Sequence, residues 1–223
     1  QIDGIPTKDP AFGLQSFWVT REEKDRAELL GFTVVDAISV LSTHLQETLK
    51  TNFDKILSRQ AVKQLLENLK KDYPAVIDDI SVDVLPLGTI QKVLQNLLRE
   101  LIPIKDLVQI IEALIDYSKV TKNIDVLTEY VRHSLNNTIA NLYKDGNGII
   151  HAAAINEKLE AYITASFQNQ KDAVQTLGLN PVMLSELKNK MQAIVDKFDA
   201  LGYRPVFITS ATIRPYFYRL INS

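Results

Sequence analysis

The feature that most constrains this chain is a run of apolar stripes at helical spacing through its middle third. Val62, Leu65, Leu66 and Leu69 fall on one helix face, and Ile90, Val93, Leu94, Leu97 and Leu98 form a second stripe. Leu107, Ile110, Ile111, Leu114 and Ile115 make a third, and Val126, Leu127, Tyr130, Val131, Leu135 and Ile139 a fourth. Pro74 and Pro103 punctuate the series, since proline ends or redirects a helix. Each stripe needs an apolar partner, and the short linkers make consecutive helices neighbours. Residues 54–143 are therefore expected to form a helical bundle.

The flanking blocks mix the two periodicities. In residues 1–53, Pro6 and Pro10 bracket a loop, and Gln15 to Thr20 alternates with aromatics as a strand does. Arg21 to Leu30 reads as a charged helix stopped by Gly31, and Phe32 to Val35 as a second strand. Asp36 then caps a helix with apolar positions Val40, Leu41, Leu45 and Leu49. Two strands are few for a stable sheet, so this α/β unit looks partial. Residues 144–223 open on the turn Lys144 to Gly148, whose two glycines suit a hinge. A strand over Ile149–Ile155, a helix from Asn156 to about Gln168, and a long helix from Pro181 toward Gly202 follow. Pro205 to Thr209 is a last strand, and Ser210 caps a short helix carrying Arg214, Tyr216 and Tyr218. The expected fold class is α+β and mainly helical. Its parts are a partial N-terminal α/β unit (1–53), a central helical bundle (54–143) and a C-terminal α/β subdomain (144–223).

Composition excludes several kinds of function. The 223 residues carry 25 Lys plus Arg against 27 Asp plus Glu, a formal charge of −2, which speaks against nucleic acid as the main partner. No cysteine is present, which removes disulfides, Cys-ligated zinc, iron–sulfur clusters and a thiol nucleophile. The most apolar stretch, Leu101 to Ile115, is broken by Lys105, Asp106, Gln109 and Glu112 and cannot span a bilayer. The chain begins at Gln1 without a signal sequence, so a fragment or processed chain is expected.

The search for catalytic groups finds little. No phosphate-cradling glycine loop and no Gly-x-Ser-x-Gly elbow occurs. His44 and Glu47 share a helix face but have no second histidine-bearing partner for a metal. Asp145-Gly-Asn-Gly has the look of a calcium loop without the acidic residue at position twelve, and reads better as a turn. Asp78, Asp79 and Asp83 suit a solvated helix face better than an acid–base pair. Arg214, Tyr216, Tyr218 and Arg219 mix cations with aromatics, and core packing with snorkelling arginines is the plainer reading. No cofactor and no metal is expected. By elimination the chain reads as a binding module and not an enzyme; a carboxylate-based hydrolase is the competing class.

Longer motifs are more specific. Asp9-Pro-Ala-Phe-Gly-Leu14, Phe17-Trp-Val19, Gly31-Phe-Thr-Val-Val-Asp36 and Val40-Leu-Ser-Thr-His-Leu45 resemble the cytosolic domain of the FlhA family. So do Leu87 to Leu98, Ile102-Pro-Ile-Lys-Asp-Leu107, Leu127 to Arg132 and Ile213-Arg-Pro215. The match runs collinearly from about residue 4 to 219 and is weakest over about 143–205. The resemblance implies part of the gate protein of the bacterial flagellar type III export apparatus: a cytoplasmic domain of an inner-membrane protein at the flagellar base. The implied role is to receive export chaperones with their cargo and pass cargo to the membrane gate, beside other export-apparatus proteins. An injectisome gate of the same build is the alternative, since the Pro-Ala-Phe-Gly and Pro-Ile-Arg/Lys-Asp-Leu elements are shared with it. Family members form a nine-fold ring and do no covalent chemistry. The first subdomain, which supplies ring contacts, is largely missing here, so this chain by itself is expected to be monomeric.

The resemblance also implies a docking site. Asp9, Phe12 and Thr43 match family positions of the chaperone-binding dimple. Phe12 lies in a loop bracketed by proline and glycine, and Val40 and Thr43, three apart, share a helix face. Leu14 and Val35 complete an apolar floor with Asp9 and Thr43 as a polar rim, the layout of a protein-binding hot spot. The alternative for Phe12 is an anchor buried in the core of its domain.

Overall fold

A computed structural model describes residues 3–168 and 180–221 of the chain, so the extreme ends of the first and last sequence blocks lie outside it. The chain divides into two compact units, Gln1–Val108 and Gln109–Ser223. The whole is α+β and mainly helical, as expected from the stripes.

The first unit opens on an antiparallel hairpin of β1 (Ile5–Lys8) and β2 (Gln15–Trp18), paired from Ile5↔Trp18 to Lys8↔Gln15. Helices α1 (Lys24–Leu29) and α2 (Ala37–Lys50) follow, then α3 (Phe53–Ile56), α4 (Arg59–Asp72), α5 (Pro74–Asp78) and α6 (Leu87–Arg99). Asp36 caps α2 by accepting from the Ser39 N–H at 2.9 Å, and Ser58 caps α4 by accepting from the Ala61 N–H at 3.1 Å. Pro74 sits at the start of α5, where its missing N–H is no loss.

The core of this unit is centred on α6. Ile90, Val93, Leu94 and Leu97 are at most 1% exposed, and α6 packs on α3 and α4, where Val62 is fully buried. Gln91 and Gln95 both donate to the Leu57 carbonyl, at 2.9 and 3.1 Å, so the same helix also satisfies the bend between α3 and α4. Leu101 ends α6 with φ 57°, and the Ile102 N–H turns back onto the Leu97 carbonyl at 2.9 Å.

The second unit holds α7 (Leu107–Tyr117), which begins at the boundary, then α8 (Ile124–Ser134) and α9 (Asn136–Tyr143). After these come β3 (Ala153–Ala154), α10 (Glu157–Gln168), α11 (Pro181–Ala200), β4 (Phe207–Ile208) and α12 (Arg214–Ile221). Ile110, Ile111 and Leu114 of α7, Leu127 and Val131 of α8, and Leu135, Ile163, Ile213 and Phe217 are among its buried side chains. β3 and β4 pair in parallel, Ala153↔Phe207 and Ala154↔Ile208, with α10 and α11 in the connection. Arg214 reaches back from α12 to Glu129 of α8, with Nε 2.7 Å from Oε2 while Nη2 bonds Oε1. Arg219 holds Asp125 of α8 at 2.6 Å. The arginines of the last helix are thus ion-paired.

Several strand expectations need correction. Ile5–Lys8 is a strand where the prolines suggested a loop. The Asp9 N–H donates to the Leu14 carbonyl at 2.8 Å, and the alternation of the ladder then puts Pro6 at a non-hydrogen-bonded pair, where no N–H is needed. Phe32–Val35 forms no strand, and the sheet of this block is the β1–β2 pair. The strands expected over Ile149–Ile155 and Pro205–Thr209 shrink to two residues each. Val126 is 40% exposed, and the apolar stripe of α2 buries none of its residues.

Removing the Glu129 carboxylate leaves a largely buried guanidinium without its main partner. Glu129→Ala is expected to lower the stability of the second unit by about 2 kcal/mol, read from urea unfolding followed at the tyrosines of α7, α8 and α12. The turn after α9 supplies a pH test. The Asp145 carboxyl is held below its ordinary value chiefly by the Ile149 N–H, and further by His151 and the Asn147 N–H. A depressed acid stabilises the fold above its unfolded value and ceases to do so as pH falls through its folded value. Exchange protection of the Ile149 amide is therefore expected to be intact at neutral pH, to be lost only as pH falls beneath the ordinary aspartate range and through the depressed Asp145 value, and to be reduced already at neutral pH in Asp145→Ala.

Candidate functional site

The hairpin, α1, the segment before α2 and the start of α2 line an open cavity of about 490 Å³ within the first unit. One side comes from Thr7 to Pro10 and from Gln15 to Arg21, the other from Lys24, Ala27, Phe32 to Ala37 and Val40. The sequence builds it in three steps. The loop between β1 and β2 folds back tightly, Gly13 taking φ 69°, a conformation that costs glycine little. Gly31, at φ 85°, ends α1 and turns the chain so that Phe32–Val35 runs along the cavity. The Asp36 cap then fixes where α2 begins and sets Val40 at the cavity wall.

Three of the six sequence-derived residues, Asp9, Val35 and Val40, line this cavity together. Phe12 and Leu14 lie on the hairpin loop outside the lining, 62% and 64% exposed. That exposure argues against Phe12 as a core anchor of this unit. Thr43 is one helical turn beyond Val40 on α2, half-buried and also outside the lining. Sequence reasoning missed Phe17, Trp18 and Phe32, which line the cavity and are 52%, 47% and 53% exposed. The available signal was the adjacent pair Phe17-Trp18: successive strand residues face opposite ways, so both cannot enter one core.

The two acidic groups at this site are engaged locally. Asp9 Oδ1 accepts from the Ala11 and Phe12 N–H groups at 3.0 and 2.7 Å. Asp36 accepts from the Ser39 N–H at 2.9 Å and hydroxyl at 2.7 Å, and these bonds hold its carboxyl below the ordinary value. Lys8, Arg21 and Lys24 lend the lining positive charge. An apolar hollow with a mixed-charge margin and exposed aromatics is suited to binding a protein segment. Among the described residues no three His, Cys, Asp or Glu side chains gather as a metal site, and Asp78 pairs with Lys70 at 2.7 Å.

A second cavity, about 640 Å³, lies in the second unit beside the stacked rings of Tyr117 and Tyr130, whose centroids are 3.9 Å apart. Its carboxylates, Asp125 and Glu129, are taken by Arg219 and Arg214, and it holds none of the sequence-derived residues.

Comparison with known proteins places this geometry in a family. The model of the FHIPEP family matches residues 1–223. The chain belongs to that family. Among FHIPEP relatives, the flagellar biosynthesis protein FlhA of Treponema pallidum is 37% identical over 228 residues, covering 100% of this chain and 32% of its own length. FlhA of Bacillus subtilis is 34% identical over 221 residues, covering 99% of this chain and 32% of itself. The chain thus spans about a third of the length of these relatives. Of solved structures, the CdsV protein of Chlamydia pneumoniae superposes with a TM-score of 0.80 at 26% identity, covering 100% of this chain and 64% of that one. No helix of the described residues is long and apolar enough to cross a membrane.

Asp36 anchors the α2 side of the cavity, which gives a direct check on the site's construction. Asp36→Ala is expected to raise amide exchange at Ser39 and through the first turn of α2. The wild-type chain should show the same loss as pH falls through the depressed Asp36 value, because protonation removes the acceptor.

Proposed function

We propose that this chain is the chaperone-docking part of a flagellar type III export gate, within the cytoplasmic domain of an inner-membrane protein at the flagellar base. In this reading it receives export chaperones with their cargo and presents cargo to the membrane gate beside other export-apparatus proteins. It acts by binding alone, without cofactor, metal or covalent chemistry. The observation that carries the reading is the cavity bordered by Asp9, Val35 and Val40, with the exposed side chains of Phe12 and Leu14 on the loop beside it. Phe12 and Leu14 are the apolar contacts, Val35 and Val40 the floor, and Thr43 extends the site along α2. The parent protein works as a nine-membered ring, whereas these 223 residues alone are monomeric.

An injectisome gate is the second reading, because the Pro-Ala-Phe-Gly and Pro-Ile-Lys-Asp-Leu elements resemble those of that branch as well. The higher identity to flagellar relatives, over nearly the whole chain, supports the flagellar one.

Calorimetry against a purified flagellar chaperone–cargo complex tests the proposal. Phe12→Ala is expected to weaken binding by about 2 kcal/mol, roughly 30-fold, as a central anchor would. Its melting temperature should stay close to wild type, because the ring is already exposed. Unchanged binding would place the docking site elsewhere. Light scattering at micromolar concentration is expected to report a monomer, and a stable ring from these residues alone would contradict that part.

A further inference from the structure

Asp9 has a different part in the site from the other residues, because one carboxylate oxygen and both backbone polar groups bond within its own loop. Oδ1 accepts from the Ala11 N–H at 3.0 Å and from the Phe12 N–H at 2.7 Å. Its backbone N–H donates to the Leu14 carbonyl at 2.8 Å, and its carbonyl accepts from the Gly13 N–H at 2.8 Å. One residue thereby ties the backbone at 11, 12, 13 and 14, and Gly13 supplies the positive φ the closure needs. The side chains of Phe12 and Leu14, carried on this tied backbone, are the ones left mostly in water.

We propose that Asp9 is a positioning residue for docking: it holds the loop that presents Phe12 and Leu14, and it acts through those side chains and not through its charge. The inference rests on the docking reading and adds to it the way in which Asp9 serves the site. A loop fixed before encounter spares the ordering cost that a loose one incurs on binding. The bonds to Ala11 and Phe12 need an acceptor oxygen at the reach of an aspartyl side chain, and asparagine offers the same oxygen without the charge. Glutamate keeps the charge but sets its oxygens one methylene further out. A charge contact and a positioning role therefore rank the variants in opposite orders.

The test uses the 223-residue chain and two readouts. Without partner, amide exchange at Ala11 and Phe12 is expected to speed up in Asp9→Ala and Asp9→Glu and to stay near wild type in Asp9→Asn. Titrated with a flagellar chaperone–cargo complex, Asp9→Ala and Asp9→Glu should bind about three- to tenfold more weakly, the cost of ordering one or two side chains. Asp9→Asn should stay within about twofold of wild type and keep its salt dependence. In Asp9→Ala/Phe12→Ala the losses should fall short of additive, since the first change acts through the second residue. Weakening by Asp9→Asn equal to that by Asp9→Ala, with the amides still protected, would make Asp9 a direct charge contact and overturn the inference alone. Phe12→Ala with unchanged binding would overturn the docking reading and this inference with it.

Discussion

The burial of α6 sustains the first unit. Ile90, Val93, Leu94 and Leu97 are effectively removed from water, each contributing roughly 2 kcal/mol of apolar burial. Gln91 and Gln95 carry the same helix's polar side to the Leu57 carbonyl. A helix held on one face by packing and on its flank by hydrogen bonds has little freedom to rotate. Arg99, at its end, reaches Asp54 of α3 at 2.9 Å. The segments toward the chain start have no comparable anchor: Ala27 is the one residue of α1 that is buried, and α2 buries none.

That contrast explains the character of the candidate site. Side chains consumed by a core cannot meet a partner, and those near the hairpin are not consumed. Phe12, Leu14, Phe17, Trp18, Phe32 and Val35 each keep 47% or more of their surface in water. The local backbone is nonetheless defined by short-range polar bonds, those of Asp9 on its loop and of Asp36 on the first turn of α2. A surface made of apolar side chains on a hydrogen-bonded frame suits recognition by another protein.

The helices were legible in the sequence because 3.6-residue periodicity is a local property. The first three stripes of the middle block each became one helix and the fourth became two, α8 and α9, broken at Leu135, while Asp36 and Asn180 cap helices as their side-chain chemistry allows. Strands were legible only as propensity. Phe32–Val35 has the composition of a strand, but a strand exists only with a partner, and β2 found its partner in Ile5–Lys8 across a short turn. The rigid φ of Pro6 looked like a disqualification until the register gave it a position without a donor. The site was half legible. Motif resemblance supplied Asp9, Phe12 and Thr43, and helical spacing supplied Val40. The inclusion of Phe17, Trp18 and Phe32 needed the third dimension, because it depends on how Gly31 redirects the chain.

The parallel pairing of β3 with β4 bears on how the second unit comes into being. Two-residue strands offer few ladder bonds, here Ala153 N–H to the Val206 carbonyl at 2.8 Å and Ile155 N–H to the Ile208 carbonyl at 3.0 Å. Their partners are separated by all of α10 and α11, so the chain loses considerable loop entropy before either bond forms. Contacts of such long sequence separation form late in folding, whereas α7, α8 and α9 can associate through near neighbours. On a ribosome the helical half of the unit would be packed while β4 was still being synthesised. Attachment of α12 through Arg214 and Arg219 then becomes the closing event of the unit's assembly.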